Sequence, residues 1–150
     1  MIIQELIQPS YINLNLNAKN KREVMEAMAV MLEKEKAIDD LEGFLQDIYE
    51  REAIMSTGIG YGIAIPHAKS SHVKIPSVIF ARSDEGIAFD AMDGKDAHLF
   101  FMIAMPEDGT NAHLKVLAML SRKLMHLAFR ESLREATSKE EVLKLLYTMD

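Results

Sequence analysis

The run Gly58-Ile59-Gly60-Tyr61-Gly62-Ile63-Ala64-Ile65-Pro66-His67 places one histidine behind a glycine turn and a stiff apolar stretch. A neutral imidazole nitrogen accepts a phosphoryl group near neutral pH without a strong base to activate it. Pro66 fixes the main chain and biases Ile65 to an extended conformation, so His67 is expected to be held rather than loose. Gly58, Gly60 and Gly62 could turn backbone N–H groups toward a bound anion with no Cβ in the way, which makes them a candidate phosphate-stabilising turn. Glycine turns also serve tight packing alone, and a lone histidine is often an ordinary surface or core residue. The segment has neither the Gly-Lys-Ser/Thr ending of a P-loop nor the glycine spacing of a dinucleotide fingerprint, which disfavours nucleotide binding.

Two other residues extend this chemistry. Arg51 lies shortly upstream, and a guanidinium suits a forked contact with phosphoryl oxygens, although a single arginine is more often a solvated surface residue. His113 follows Asp108-Gly109-Thr110-Asn111-Ala112, where Thr110 reads as an N-cap and the histidine falls in the first helical turn, at the end of the dipole that favours anions. His113, Val116, Leu117, Leu120 and Leu124 share one helical face, so a core histidine is its competing reading.

The elements that must position these residues alternate strand with helix. Ile12, Leu14 and Leu16 alternate with asparagines as a half-buried strand. Asn20 with Glu23 resembles a capping box for a helix whose apolar face is Val24, Met28, Met31 and Leu32. Asp39 with Glu42 repeats that start signal, and the helix they open carries Leu41, Phe44, Leu45 and Ile48 on one side and delivers Arg51 at its far end. Ile63 to Ile65, Ser77 to Arg82 and Leu99 to Met105 read as strands. The last of these is a continuous apolar run typical of a strand buried on both faces and stopped by Pro106. Asp93-Gly94 suggests a turn that lets Ile87 to Phe89 form a hairpin arm. Ser138 with Glu141 caps a final helix faced by Val142, Leu145, Leu146 and Met149. This order predicts an α/β fold, a three-layer α/β/α sandwich with a central mixed sheet of about five strands and helices on both faces.

Composition bounds the function. The chain of 150 residues is expected to be one domain, residues 1–150, with 49% hydrophobic and 27% charged residues. A net charge of −6 and the lack of a Lys/Arg cluster argue against nucleic-acid binding. With no cysteine, the acceptor cannot be a thiolate. The start of the chain has no basic region before its apolar residues, and Leu99 to Met105 is too short to cross a bilayer, so any membrane role must come through a partner. The five histidines lack ligand spacing, so neither a metal nor another cofactor is expected. The eleven methionines, including Met25, Met28, Met31, Met119 and Met125, are read as core filling rather than as a docking surface.

The run from Arg51-Glu52-Ala53-Ile54-Met55-Ser56-Thr57-Gly58 through Ile65-Pro66-His67 resembles the signature of the fructose/mannitol family of enzyme IIA components of the bacterial phosphotransferase system. Ile87-Ala88-Phe89-Asp90-Ala91-Met92-Asp93-Gly94 and the segment from Pro106 to Leu114 resemble the family's pattern in the same order, so the likeness runs from about Leu14 to Leu146. The resemblance implies a cytoplasmic phosphocarrier. His67 would take a phosphoryl group from the phosphocarrier protein HPr and pass it to a IIB component serving a membrane IIC permease, with fructose as the commonest sugar. It implies active-site roles for Arg51 and His113 without phosphorylation of either. Such a site should be shallow and rimmed by apolar residues on which HPr and IIB dock in turn. The nitrogen-related regulatory IIA shares the motif but signals by phosphorylation-dependent protein binding, and remains the alternative. A domain keeping the fold without the chemistry is disfavoured by the joint presence of His67, Arg51 and His113. Ala68-Lys69-Ser70-Ser71-His72 departs from the pattern.

Overall fold

The computed structural model describes residues 3–108 and 110–148. Its centre is a mixed sheet of six strands: β1 (Ile12–Asn13), β2 (Gly58–Gly60), β3 (Ile63–Ala64), β4 (His67–Ser70), β5 (Ser77–Ile87) and β6 (Ala97–Pro106). The helices are α1 (Lys21–Lys34), α2 (Leu41–Ile54), α3 (Ala112–Leu124), α4 (Leu127–Glu135) and α5 (Lys139–Tyr147). The order across the sheet is β1-β5-β6-β3-β2, with β4 also paired to β6.

β6 is the spine. Every residue from Leu99 to Met105 is buried, so both faces of this strand are covered, as its unbroken apolar run requires. Helices α1 and α2 pack on each other and on β5 and β4, while α3 and α4 pack together against β6, and α5 packs on α4. The three-layer expectation therefore holds, with six strands rather than about five, β2 and β4 being the two the sequence did not announce. Both β3 and β4 run parallel to β6 in one register, Ile63 opposite Leu99 and His67 opposite Ile103. Pro66 interrupts the ladder because it has no N–H to donate, yet its carbonyl still accepts from Ile103 N–H at 3.0 Å. The strand thus resumes at His67 instead of ending at Pro66. At the N-terminal end, the strand expected to reach Leu16 is ordered as a pair only at Ile12 and Asn13, with Leu16 N–H donating to the Arg82 carbonyl. Ile87 is the end of β5, not a separate hairpin arm, and pairs with Ala97 across a connection that turns at Gly94.

Helix starts follow capping chemistry in two cases and depart from it in two. Asn20 Oδ1 accepts from Glu23 N–H at 2.9 Å, and Ser138 Oγ accepts from Glu141 N–H at 3.1 Å. The N-cap of α2 is Asp40, not Asp39, whose carboxylate instead holds His72 Nδ1 at 3.0 Å and Lys74 Nζ at 3.1 Å. The N-cap of α3 is Asn111, because Asp108 captures both the N–H and the hydroxyl of Thr110. The apolar faces behave as read: Val24, Met28 and Leu32 on α1, Phe44 and Ile48 on α2, and Val142 and Leu146 on α5 are buried. Met149 lies outside the described residues. Met25 and Met28 fill the core and Met31 and Met119 pack against it, whereas Met125, between α3 and α4, is exposed.

Candidate functional site

His67 opens β4 alongside the central strand β6 and is only 7% exposed. Its Nδ1 lies 2.8 Å from the Ile65 carbonyl oxygen. A carbonyl can only accept, so Nδ1 carries the proton and Nε2 keeps its lone pair. Among the described residues no side chain or backbone group bonds to Nε2, and the one buried side-chain polar atom without a partner is His113 Nδ1, so Nε2 is not enclosed. Most of the ring is covered and its nucleophilic edge is open.

His113 sits in the first turn of α3, with its ring centroid 6.4 Å from that of His67 and the planes tilted by 33°. The two reach each other because α3 packs against both β6 and β4. An enclosed Nδ1 without a partner costs free energy that a hydrogen-bonding group placed beside it would recover. Arg51 is half-buried in the last turn of α2 and donates from Nη1 to the Met55 carbonyl at 2.9 Å. Its charge is felt at His67. The residues beside these groups, Ile54 and Met55 after Arg51 and Leu114 after His113, are large exposed hydrophobics, which gives the apolar rim expected of a docking site.

The glycines do not join this cluster. Gly58 N–H donates to Ser56 Oγ at 3.0 Å, and a Cβ at this position would fall 2.6 Å from the Phe89 carbonyl, so Gly58 serves close packing. Gly60 and Gly62, at φ +90° and +78°, shape the tight connection from β2 to β3 together with Tyr61 at φ +58°. The Gly62 carbonyl accepts from His98 and Leu99 at the far end of β6. With His67 opposite Ile103, the separation along the strand is about 15 Å. The expected phosphate-stabilising turn is therefore corrected: these glycines build the hairpin that leads into β3 and do not face the imidazole.

Sequence reasoning passed over two side chains, Glu52 and Lys69. Glu52, buried beside Arg51, accepts from Thr57 N–H at 2.7 Å and from the Thr57 hydroxyl at 2.6 Å, and pairs with Lys21 Nζ at 2.7 Å. Lys69, two residues after His67 and hence on the same face of β4, donates to the Thr110 carbonyl at 3.2 Å and ties down the segment leading to His113. The only signal for Glu52 was its place in the run after Arg51. The contacts that matter span the sheet and could not be read from spacing.

Burial pushes the His67 pKa below the ordinary 6.5; the nearby charges of Arg51 and His113 act the same way, against the opposing bond to Ile65 and the charge of Glu52. Burial, then the Lys69 charge, likewise lowers His113. Both rings are therefore neutral at physiological pH. In the unfolded chain His67 titrates at its ordinary value, so between 6.5 and its lower folded pKa the unfolded state binds more protons. The contribution to stability is complete above 6.5 and is lost as pH falls through the folded value. A ring-nitrogen NMR titration of His67 should give a midpoint below 6.5, and a midpoint above it would contradict this electrostatic account.

These features, a parallel strand presenting one open imidazole nitrogen near a second histidine, with an arginine whose charge reaches the ring, define a site suited to nucleophilic chemistry at one imidazole nitrogen. A sequence model of the family described as "Phosphoenolpyruvate-dependent sugar phosphotransferase system, EIIA 2" matches residues 5–149, and the chain belongs to this family of phosphotransferase components. It is 40% identical over 150 residues to the "PTS system fructose-specific EIIABC component" of Bacillus subtilis (strain 168), covering all of this chain but 24% of that protein. The crystal structure of the nitrogen regulatory protein IIA-Ntr from Neisseria meningitidis superposes with a TM-score of 0.89 at 36% identity, over 96% of this chain and 98% of that one. A complex of enzyme IIAMtl with phosphorylated enzyme IIBMtl from Escherichia coli contains a chain matching at TM-score 0.82 and 28% identity, over 95% of this chain and 97% of that one. Among the described residues no helix is long and apolar enough to cross a membrane.

Proposed function

We propose that the protein is a cytoplasmic phosphocarrier that accepts a phosphoryl group from phosphorylated HPr on His67 Nε2 and passes it to a IIB component for uptake of fructose or a related sugar. The observation that carries this reading is the pairing of His67 Nδ1 with the Ile65 carbonyl, which leaves Nε2 as the single available nucleophile of a neutral ring. In the forward step the Nε2 lone pair forms the new N–P bond as the bond from phosphorus to the donor's histidine breaks, and that electron pair leaves with the donor. The His67 ring gains positive charge, which the Nδ1–H bond to the Ile65 carbonyl stabilises. The three nonbridging oxygens keep their negative charge throughout, so the protein's work is to place donors around them and exclude water. Arg51 supplies a cation and His113 a ring N–H, with the start of α3 adding a favourable dipole. The IIB partner is supported by the complex of the related mannitol proteins, in which a IIA chain of this fold sits with a phosphorylated IIB.

Incubating the chain with phosphorylated HPr and mapping the modified residue tests this directly. A label on His67 Nε2 is expected, and a label elsewhere refutes it. The close superposition on a nitrogen regulatory IIA supports a second reading, signalling by phosphorylation-dependent binding. Transfer onward to a fructose-type IIB favours transport, while phosphorylation without onward transfer favours regulation.

A further inference from the structure

Glu52 stands next to Arg51 on α2, but its carboxylate turns into the protein and is 7% exposed. A buried carboxylate is costly unless its oxygens are satisfied, and here both are. Oε1 accepts the Thr57 hydroxyl at 2.6 Å. Oε2 accepts the Thr57 N–H at 2.7 Å and pairs with Lys21 Nζ at 2.7 Å. Thr57 is held by two bonds from one carboxylate, so neither its main chain nor its rotamer is free. The Thr57 carbonyl in turn accepts the Ile65 N–H at 3.0 Å, and the Ile65 carbonyl accepts His67 Nδ1–H at 2.8 Å. The chain from Glu52 to the imidazole is continuous, and each donor and acceptor in it is fixed by chemistry.

We propose that Glu52 is a positioning residue for phosphoryl transfer: by clamping Thr57 it sets the Ile65 peptide whose carbonyl holds His67 in the tautomer with Nε2 outward. The inference rests on His67 being the phosphoryl acceptor. The negative charge of Glu52 also acts on His67 in the direction that favours a positive ring, the state approached as the N–P bond forms. Lys21 makes the clamp tolerable. It neutralises Glu52, reaches Asp90 at 3.2 Å and lies 5.0 Å over the Phe89 ring, so the carboxylate is anchored from α1 as well. The same pair read as a structural ion pair would stabilise α1 against α2 and leave the imidazole indifferent.

Glu52→Gln separates these roles. The amide oxygen can still accept the Thr57 N–H, but its NH2 can only donate, so the Thr57 hydroxyl must turn from donor to acceptor, and Lys21 loses the nearer of its two carboxylates and keeps only Asp90. Nitrogen-resolved NMR of the His67 ring should show one tautomer, protonated on Nδ1, in the unaltered protein and a mixture in the variant. With saturating phosphorylated HPr, the rate of acceptance should fall by at least about tenfold while KM for HPr stays unchanged, because the docking rim is untouched. A variant with a lowered Tm but an unaltered tautomer and rate would overturn the proposal and leave a purely structural ion pair. If Glu52→Gln does not fold, Thr57→Val removes only the hydroxyl donor and is read in the same two ways, an unaltered tautomer and rate again overturning the proposal. Failure of the unaltered protein to accept phosphate would refute the functional reading instead, and the tautomer comparison would still report on positioning.

Discussion

Phosphorylated HPr is expected to leave the His67→Ala protein unlabelled, a loss of at least about a thousandfold in acceptance rate. No other group is placed to substitute. His98 shares the Nδ1-to-carbonyl bond, to Ser83, but lies at the far end of β6 from Ile103 and His67; His72 is paired with Asp39, His126 is exposed at the start of α4, and the chain has no cysteine. His113 is near, but its enclosed Nδ1 has no backbone carbonyl to fix a tautomer, so its ring lacks the feature that readies His67. Removing the imidazole leaves the Ile65 carbonyl without its donor and opens a small void, a cost of about 1–2 kcal/mol that a fold built on β6 tolerates. Circular dichroism should therefore show a folded protein with a slightly reduced melting temperature. Normal labelling of the folded variant, or label transferred quantitatively to His113, would end the assignment of His67 as the carrier.

The fold was legible where one residue pattern had one physical solution. The apolar run of β6 could only be buried on both faces, and Asn20/Glu23 and Ser138/Glu141 had acceptors at the right offset from free helix N–H groups. It misled where two acceptors competed. Asp39 is claimed by His72 and Lys74, and Thr110 by Asp108, so each helix starts one residue later than its sequence suggests. The strand read as Ile63 to Ile65 is followed by a continuation at His67 that the sequence did not show, because Pro66, with no N–H, still bonds β6 through its carbonyl. For the site, residue type made His67, Arg51 and His113 candidates, each with a competing surface or packing reading, and it was the family resemblance that grouped them; the structure sets the two imidazole rings 6.4 Å apart. The glycines were misassigned because positive φ and anion binding both call for glycine, and only the register, which carries Gly62 to the far end of β6, separates the two. Glu52 was invisible for a related reason: in sequence it is one more acidic residue on a helix, and its meaning comes from Lys21 on α1 and from Thr57 and Ile65 in the connections around β2 and β3, which the fold brings together.

Arg51→Ala is expected to slow phosphoryl acceptance by about a hundredfold, the scale set by removing one preorganised donor from developing oxyanion charge. The arginine is well placed for this. Among the described residues its one hydrogen bond is to the Met55 carbonyl, so the rest of the guanidinium fork can turn to phosphoryl oxygens. Losing that one bond at a helix end costs about 1 kcal/mol, so the variant should stay folded with almost unchanged denaturation. Two opposed electrostatic effects set the sign. Without the nearby cation the His67 pKa rises toward its ordinary value, which makes the ring slightly more basic; the phosphoryl oxygens meanwhile lose their counter-charge. The second effect dominates because the oxygens carry nearly a full dianion, whereas the ring is already neutral at physiological pH. Arg51→Lys should restore only part of the rate, since an ammonium supplies charge without the planar fork. Single-turnover transfer from phosphorylated HPr would resolve the series, and equal rates for the arginine, lysine and alanine forms would show that the guanidinium does not touch the transferring group.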